Sequence, residues 1–153
     1  RSDLEPRAEF GITPLHDAAW RNSINVARLL VTHGVDLEVK DSPFGNDNTP
    51  LHIAAKYNSR AVAQYLIEMG ANVNARTVWN ATSLHIAARA GAVEIAHTLI
   101  EFGAKIDAEQ ILPGATTKRG FTPLNEAISV KNAEMARYLV SCGAEISVKT
   151  RNG

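Results

Sequence analysis

Cysteine is nearly absent from this chain of 153 residues: Cys142 stands alone, so no disulfide can form within it, and a reducing, cytoplasmic or otherwise intracellular setting is expected. There is no run of 18 apolar residues and nothing that reads as a signal peptide, which argues against direct insertion into a membrane. Charge of one sign is missing in bulk, because 16 Lys and Arg balance 16 Asp and Glu. General attraction to nucleic acid is therefore not expected, and any charge preference must come from placement. The glycine patterns that cradle phosphates and the nucleophile elbow G-x-S-x-G are also missing, so neither catalysis nor a cofactor is expected. Aromatic rings are few, two Trp, three Tyr and four Phe, so the position of each carries information.

What is present is a repeat. Asn48-Thr49-Pro50-Leu51-His52-Ile53-Ala54-Ala55 recurs as Ile12-Thr13-Pro14-Leu15-His16-Asp17-Ala18-Ala19, as Ala81-Thr82-Ser83-Leu84-His85-Ile86-Ala87-Ala88 and as Phe121-Thr122-Pro123-Leu124-Asn125-Glu126-Ala127-Ile128. The threonines lie 36, 33 and 40 residues apart, and each copy is followed by a helical run that ends in Gly34, Gly70, Gly103 or Gly143. A period near 33 carrying T-P-L-H-x-A resembles the ankyrin repeat. The resemblance covers almost the whole chain and implies an all-α repeat solenoid of paired antiparallel helices with projecting β-hairpin loops.

The period divides the chain, read as a single repeat domain over 1–153, into repeat 1 over 11–40, repeat 2 over 41–76, repeat 3 over 77–109 and repeat 4 over 110–149. Residues 1–10 align with the end of a preceding repeat and 150–153 with the start of a following one, so the expectation is four complete repeats from a longer parent array. Two junctions exceed the period. A turn-rich string, Ser42-Pro43-Phe44-Gly45-Asn46-Asp47, lengthens the hairpin of repeat 2, and a longer insertion within 109–118 makes a finger at repeat 4. Insertions in such arrays map to loops, often on the binding face. Ile111 and Leu112 would then either project from the finger or fold back on the neighbouring hairpin.

Within each repeat Thr can cap free N–H groups and Pro suits the first turn, so a first helix starts there, with a small-residue face for close packing. The second helix carries larger apolar residues, as in Val26, Leu29 and Leu30, or Val62, Tyr65, Leu66 and Ile67, and ends at a left-handed glycine.

His16, His52 and His85 fall at one position of successive repeats. Ligands of a zinc ion must converge within about 2 Å of it, which one histidine per repeat cannot do. The resemblance implies a structural role instead, binding hairpin to helix start, with Asn125 as the polar substitute in repeat 4. It also marks Asn74 as a candidate hydroxylation site, against the simpler reading of a turn asparagine.

The resemblance further implies a concave binding surface of hairpin tips and exposed first-helix residues. Six aromatic residues fall there: Phe10, Trp20, Phe44, Tyr57, Trp79 and Phe121. The same regions hold Arg21, Lys40, Lys56, Arg76, Arg89, Lys118 and Arg119 against Glu9, Asp41, Asp47 and Glu109. Rings and arginines dominate binding hot spots. The expected partner is a protein or peptide, acidic with apolar anchors, at a surface including Phe10, Trp20, Arg21, Phe44, Lys56, Tyr57, Trp79, Arg89, Ile111, Leu112, Lys118, Arg119 and Phe121. The alternatives are nucleotide or oligonucleotide binding on that face, which the neutral total disfavours, and a structural role within the longer parent chain.

Overall fold

The computed structural model describes residues 11–41, 45–116 and 119–146. These contain eight helices in four antiparallel pairs: α1 (Pro14–Arg21) with α2 (Ile24–Thr32), α3 (Pro50–Lys56) with α4 (Arg60–Glu68), α5 (Ser83–Ala90) with α6 (Val93–Glu101), and α7 (Pro123–Ser129) with α8 (Ala133–Ser141). The pairs stack in chain order. First helices pack more closely on one another than second helices do, because Ala19, Ala55 and Ala88 at the contacts are fully buried and allow close approach. The exposed sides of α1, α3 and α5 line hollows, α3 and α5 together with the hairpin tips, and this hollowed side of the stack is its concave side.

Each first helix starts in the same way. Thr13, Thr49, Thr82 and Thr122 accept the backbone N–H of the residue three positions on, and the side chain of that residue accepts the threonine's own N–H. Such a reciprocal cap usually uses Glu or Gln at the third position. Here it uses His16, His52 and His85 through Nδ1, at 3.0 to 3.2 Å, and Asn125 through Oδ1 at 2.9 Å. The proline positions 14, 50 and 123 open the first turn. In α5 Ser83 stands there instead, and its buried hydroxyl has no hydrogen-bond partner.

The turn from first to second helix places Asn22, Asn58, Gly91 and Lys131 in the left-handed region, at φ between 54° and 74°. Asparagine and glycine adopt it readily and lysine does not. Packing of the second helices rests on Leu30, Leu66, Leu99 and Leu139, all buried, with Val62, Ile95 and Met135 buried at a second shared position. Of the larger apolar residues expected along α2, Leu30 is buried, whereas Val26 and Leu29 are 46% and 57% exposed. Val26 occupies the position of Val62, Ile95 and Met135, which is covered by the preceding repeat, and among the described residues no repeat precedes α2. At the other end Ile128 holds the position of the fully buried alanines and is 58% exposed.

Three hairpins leave the second helices, and one residue pair closes each of them. Asp41 N–H donates to Asn48 O (3.1 Å), Thr77 N–H to Ala81 O (2.9 Å), and Gln110 and Phe121 exchange two bonds at 2.7 and 3.1 Å. The last is an isolated antiparallel bridge. Positions 41, 77 and 110 are equivalent, as are 48, 81 and 121. The added residues of the two long hairpins therefore lie outside a constant base.

Candidate functional site

The rim of the concave side is set by helix periodicity. Trp20, Lys56, Arg89 and Ser129 are equivalent residues at the exposed ends of the first helices, and three positions earlier in each lie Asp17, Ile53, Ile86 and Glu126. Residues three apart share a helix face, so these four form the floor beneath the rim. The floor was missed in the sequence, although a period-three step back from the rim finds it. It also corrects the expected charge balance, because Asp17 and Glu126 add two carboxylates to the face. Asp17 binds Arg21 at 3.0 Å, and Glu126, buried, lies 4.0 Å from Arg89. Other cations are committed inside the scaffold: Arg76 donates to Asn80 O and Glu109 O at 2.9 Å each, and Arg119 meets Glu109 at 2.7 Å. Lys56 and Arg89, the latter beside Glu126, are the cations that line the groove's larger hollow. No ion pair neutralises Lys56 among the described residues.

The rings that define the face are open to solvent, Trp20 at 52%, Tyr57 at 47% and Trp79 at 53%. Trp20 and Tyr57 pack against each other with ring centroids 5.9 Å apart, Arg21 lies over the first and Lys56 over the second at 5.3 and 5.5 Å. With Ile12, His16, Asp17 and Ile53 they enclose a mostly apolar hollow of about 230 Å³. A larger one, about 460 Å³, follows along the groove between Lys56, Ile86, Arg89 and Ala90 on the helices and Trp79, Leu112, Asn46 and Gln110 on the tips. Trp79 is held by its indole N–H on Asn46 Oδ1 (3.3 Å) and by Gln110 Nε2, which donates to Trp79 O (3.0 Å). The finger leans toward this hollow. Asn80 donates to Ile111 O at 3.2 Å, and Ile111 packs half-buried beside Gly120, where a Cβ would meet Gln110 O at 2.4 Å and Ile111 Cγ1 at 2.8 Å. Of the two finger residues, Ile111 folds back and Leu112 reaches the groove. Phe121 is half-buried at the base of the finger and its backbone closes the hairpin. Phe10, Phe44 and Lys118 lie outside the described residues.

The histidines hold hairpins. His16 Nε2 donates to Asn48 O (2.8 Å), His52 to Ala75 O (2.9 Å) and His85 to Phe121 O (2.8 Å). Both ring nitrogens are used, one as acceptor in the cap and one as donor to the hairpin, which requires the neutral ring. Burial pushes His52 and His85 down to about 4.

Asn74 belongs to a ladder. Glu38, Asn74 and Asp107 are equivalent and accept the backbone N–H of Asn72, Lys105 and Glu145 in the next repeat, at 2.9, 3.0 and 3.0 Å. Any oxygen serves this position. Asn74 also donates Nδ2 to Gly103 O at 3.1 Å, so both ends of its amide are engaged.

Outside the groove, His97 accepts from Tyr138 Oη (2.9 Å) and lies 3.0 Å from Glu101. The array has the outline of an activated hydroxyl, but burial and then Cys142 raise the Tyr138 pKa, so its proton is held and not released. It ties α6 to α8. Among the described residues no three His, Cys, Asp or Glu side chains gather as metal ligands, and no helix is long and apolar enough to cross a membrane.

A family model described as ankyrin repeats (three copies) matches residues 2–77 and again 76–150. A comparison with curated proteins returned no match.

Proposed function

The chain belongs to the ankyrin repeat family, whose repeats are generally protein–protein interaction modules and typically not catalysts, and from that premise we propose that it binds a protein or peptide partner in its concave groove and along its hairpin tips, without catalysis. One observation carries the reading: Trp20, Tyr57 and Trp79 are about half exposed and share one concave face with Lys56 and Arg89. Large rings left in water cost burial energy that a partner recovers, and truncating such anchors typically costs about 2 kcal/mol of binding or more. The lone Cys142 suits an intracellular setting.

The test is affinity capture with the wild-type chain beside a Trp20→Ala, Tyr57→Ala, Trp79→Ala variant whose helical circular dichroism matches it. Partners retained by the first and lost by the second are expected, whereas identical sets would move the working surface elsewhere. Oligonucleotide binding on the same face would demand a steep loss of affinity with added salt. The engagement of Arg21, Arg76 and Arg119 within the scaffold argues against it.

A further inference from the structure

We propose that the partner segment is an extended peptide in which a large apolar side chain, aromatic or branched, lies three residues from a carboxylate. The inference rests on the groove reading above and gives it a sequence rule. The hollow walled by Trp20 and Tyr57 and floored by Ile53 is predominantly apolar and, at about 230 Å³, has room for one large side chain. Its neighbour is different in kind. Lys56 and Arg89 stand at equivalent positions on α3 and α5 at the edge of the second hollow. Lys56 has no carboxylate partner among the described residues, and the Arg89 side chain is largely solvent-exposed with Glu126 at 4.0 Å.

They are the two cations lining this hollow, and a carboxylate is the group both can grip, the guanidinium through N–H bonds that its single 4.0 Å contact with Glu126 leaves available. Charge complementarity thus selects an acid at this point and an apolar group at the other. The distance between the points is one repeat, about 8 to 10 Å for packed helices. A chain in the extended polyproline II conformation rises about 3.1 Å per residue and turns back to the same side every three residues, so a three-residue step covers the distance with both side chains facing the groove. A helical ligand would need about seven residues for the same step, so the spacing between the two groups tells the two forms apart. The carboxylate comes from Asp or Glu, and Trp79 and Leu112 beyond it accept an apolar residue on its far side.

The experiment is panning of a random dodecapeptide display library on the whole chain, followed by affinity measurement on a selected peptide. Enrichment of an apolar residue three positions from Asp or Glu is expected. Trp20→Ala should weaken the selected peptide about thirtyfold, as loss of a hot-spot anchor does. Lys56→Glu with Arg89→Glu should enrich Lys or Arg at the acidic position, and Lys56→Gln with Arg89→Gln, which brings no new charge near Glu126, should cost about tenfold. Peptides that depend on Trp20 but show another spacing, or keep their acid after charge reversal, would overturn the rule and leave groove binding standing. Peptides indifferent to Trp20→Ala, or no enrichment at all, would overturn both.

Discussion

The short hairpin between α4 and α5 and the long ones on either side of it start from the same base and are held by different grips. In each, equivalent residues close the base: Asp41 with Asn48, Thr77 with Ala81, Gln110 with Phe121. The histidine beneath makes the same cap with its own threonine in all three cases. Its outward bond varies. His16 and His85, under the long hairpins, donate to the returning arm at Asn48 O and Phe121 O, with Ala108 on the outgoing arm a lesser backbone partner of His85, whereas His52, under the short one, donates to the outgoing arm at Ala75 O. The lesson is a separation of duties. Nδ1 is fixed by the helix cap, and Nε2 takes whichever carbonyl the hairpin length brings over it.

Acid breaks the grips of His52 and His85 together and has the largest expected effect. The neutral ring is required in the folded state, and burial holds His52 and His85 at about 4 against 6.5 when unfolded. Below pH 6.5 the unfolded chain takes up protons that the fold refuses. Stability is therefore full above that value and is lost as pH falls toward 4, by on the order of 3 kcal/mol for each histidine. Urea midpoints measured in that window check it, and a flat profile would mean that the rings are not held neutral.

Single substitutions then separate the two grips. His52→Ala and His85→Ala should each cost about 3 kcal/mol, through a cavity and unpaired hairpin and cap groups. Only His85→Ala should speed amide exchange at Gln110 and Phe121. His52→Asn, which copies Asn125, keeps the cap and loses the outward bond, and should cost about 1 kcal/mol less than His52→Ala.

Behind the hairpins, Asn74→Ala should cost about 1 kcal/mol by removing both an acceptor and a donor, and Asn74→Asp should cost less because it keeps the bond from Lys105. Equal losses would mean that the bond to Gly103 dominates. The smallest effects are gains. Ser83→Pro removes an unpaired buried hydroxyl and restores the residue used at 14, 50 and 123, and Lys131→Gly relieves a left-handed lysine. Each should raise stability by about 0.5 to 1 kcal/mol in thermal unfolding.

The sequence was legible where chemistry repeats locally. Thr-Pro-Leu-His fixes a cap within four residues, so the helix starts and the terminal glycines could be placed from spacing alone. The exposed rings Trp20, Tyr57 and Trp79 could be read in the same way, by register. Val26 and Leu29 could not, because an apolar residue in a stacked array is buried only by its neighbour and its own helix does not record who that is. The fate of Ile111 against Leu112 was equally hidden, since it depends on Asn80 and Gly120, distant in sequence. The groove's charge was misjudged for a simpler reason. Counting residues at the tips ignores Asp17 and Glu126 beneath them and the internal bonds of Arg76, which only three-dimensional neighbours reveal.

The ladder of Glu38, Asn74 and Asp107 has a mechanical meaning. Each rung spans one junction, from one repeat to the backbone of the next, and no rung spans two. Under tension along the stack these links are loaded in series, so every junction bears the whole force and the weakest opens first. The rung with Asn74 adds a second bond, to Gly103, so that at this junction the load passes through two links from one side chain.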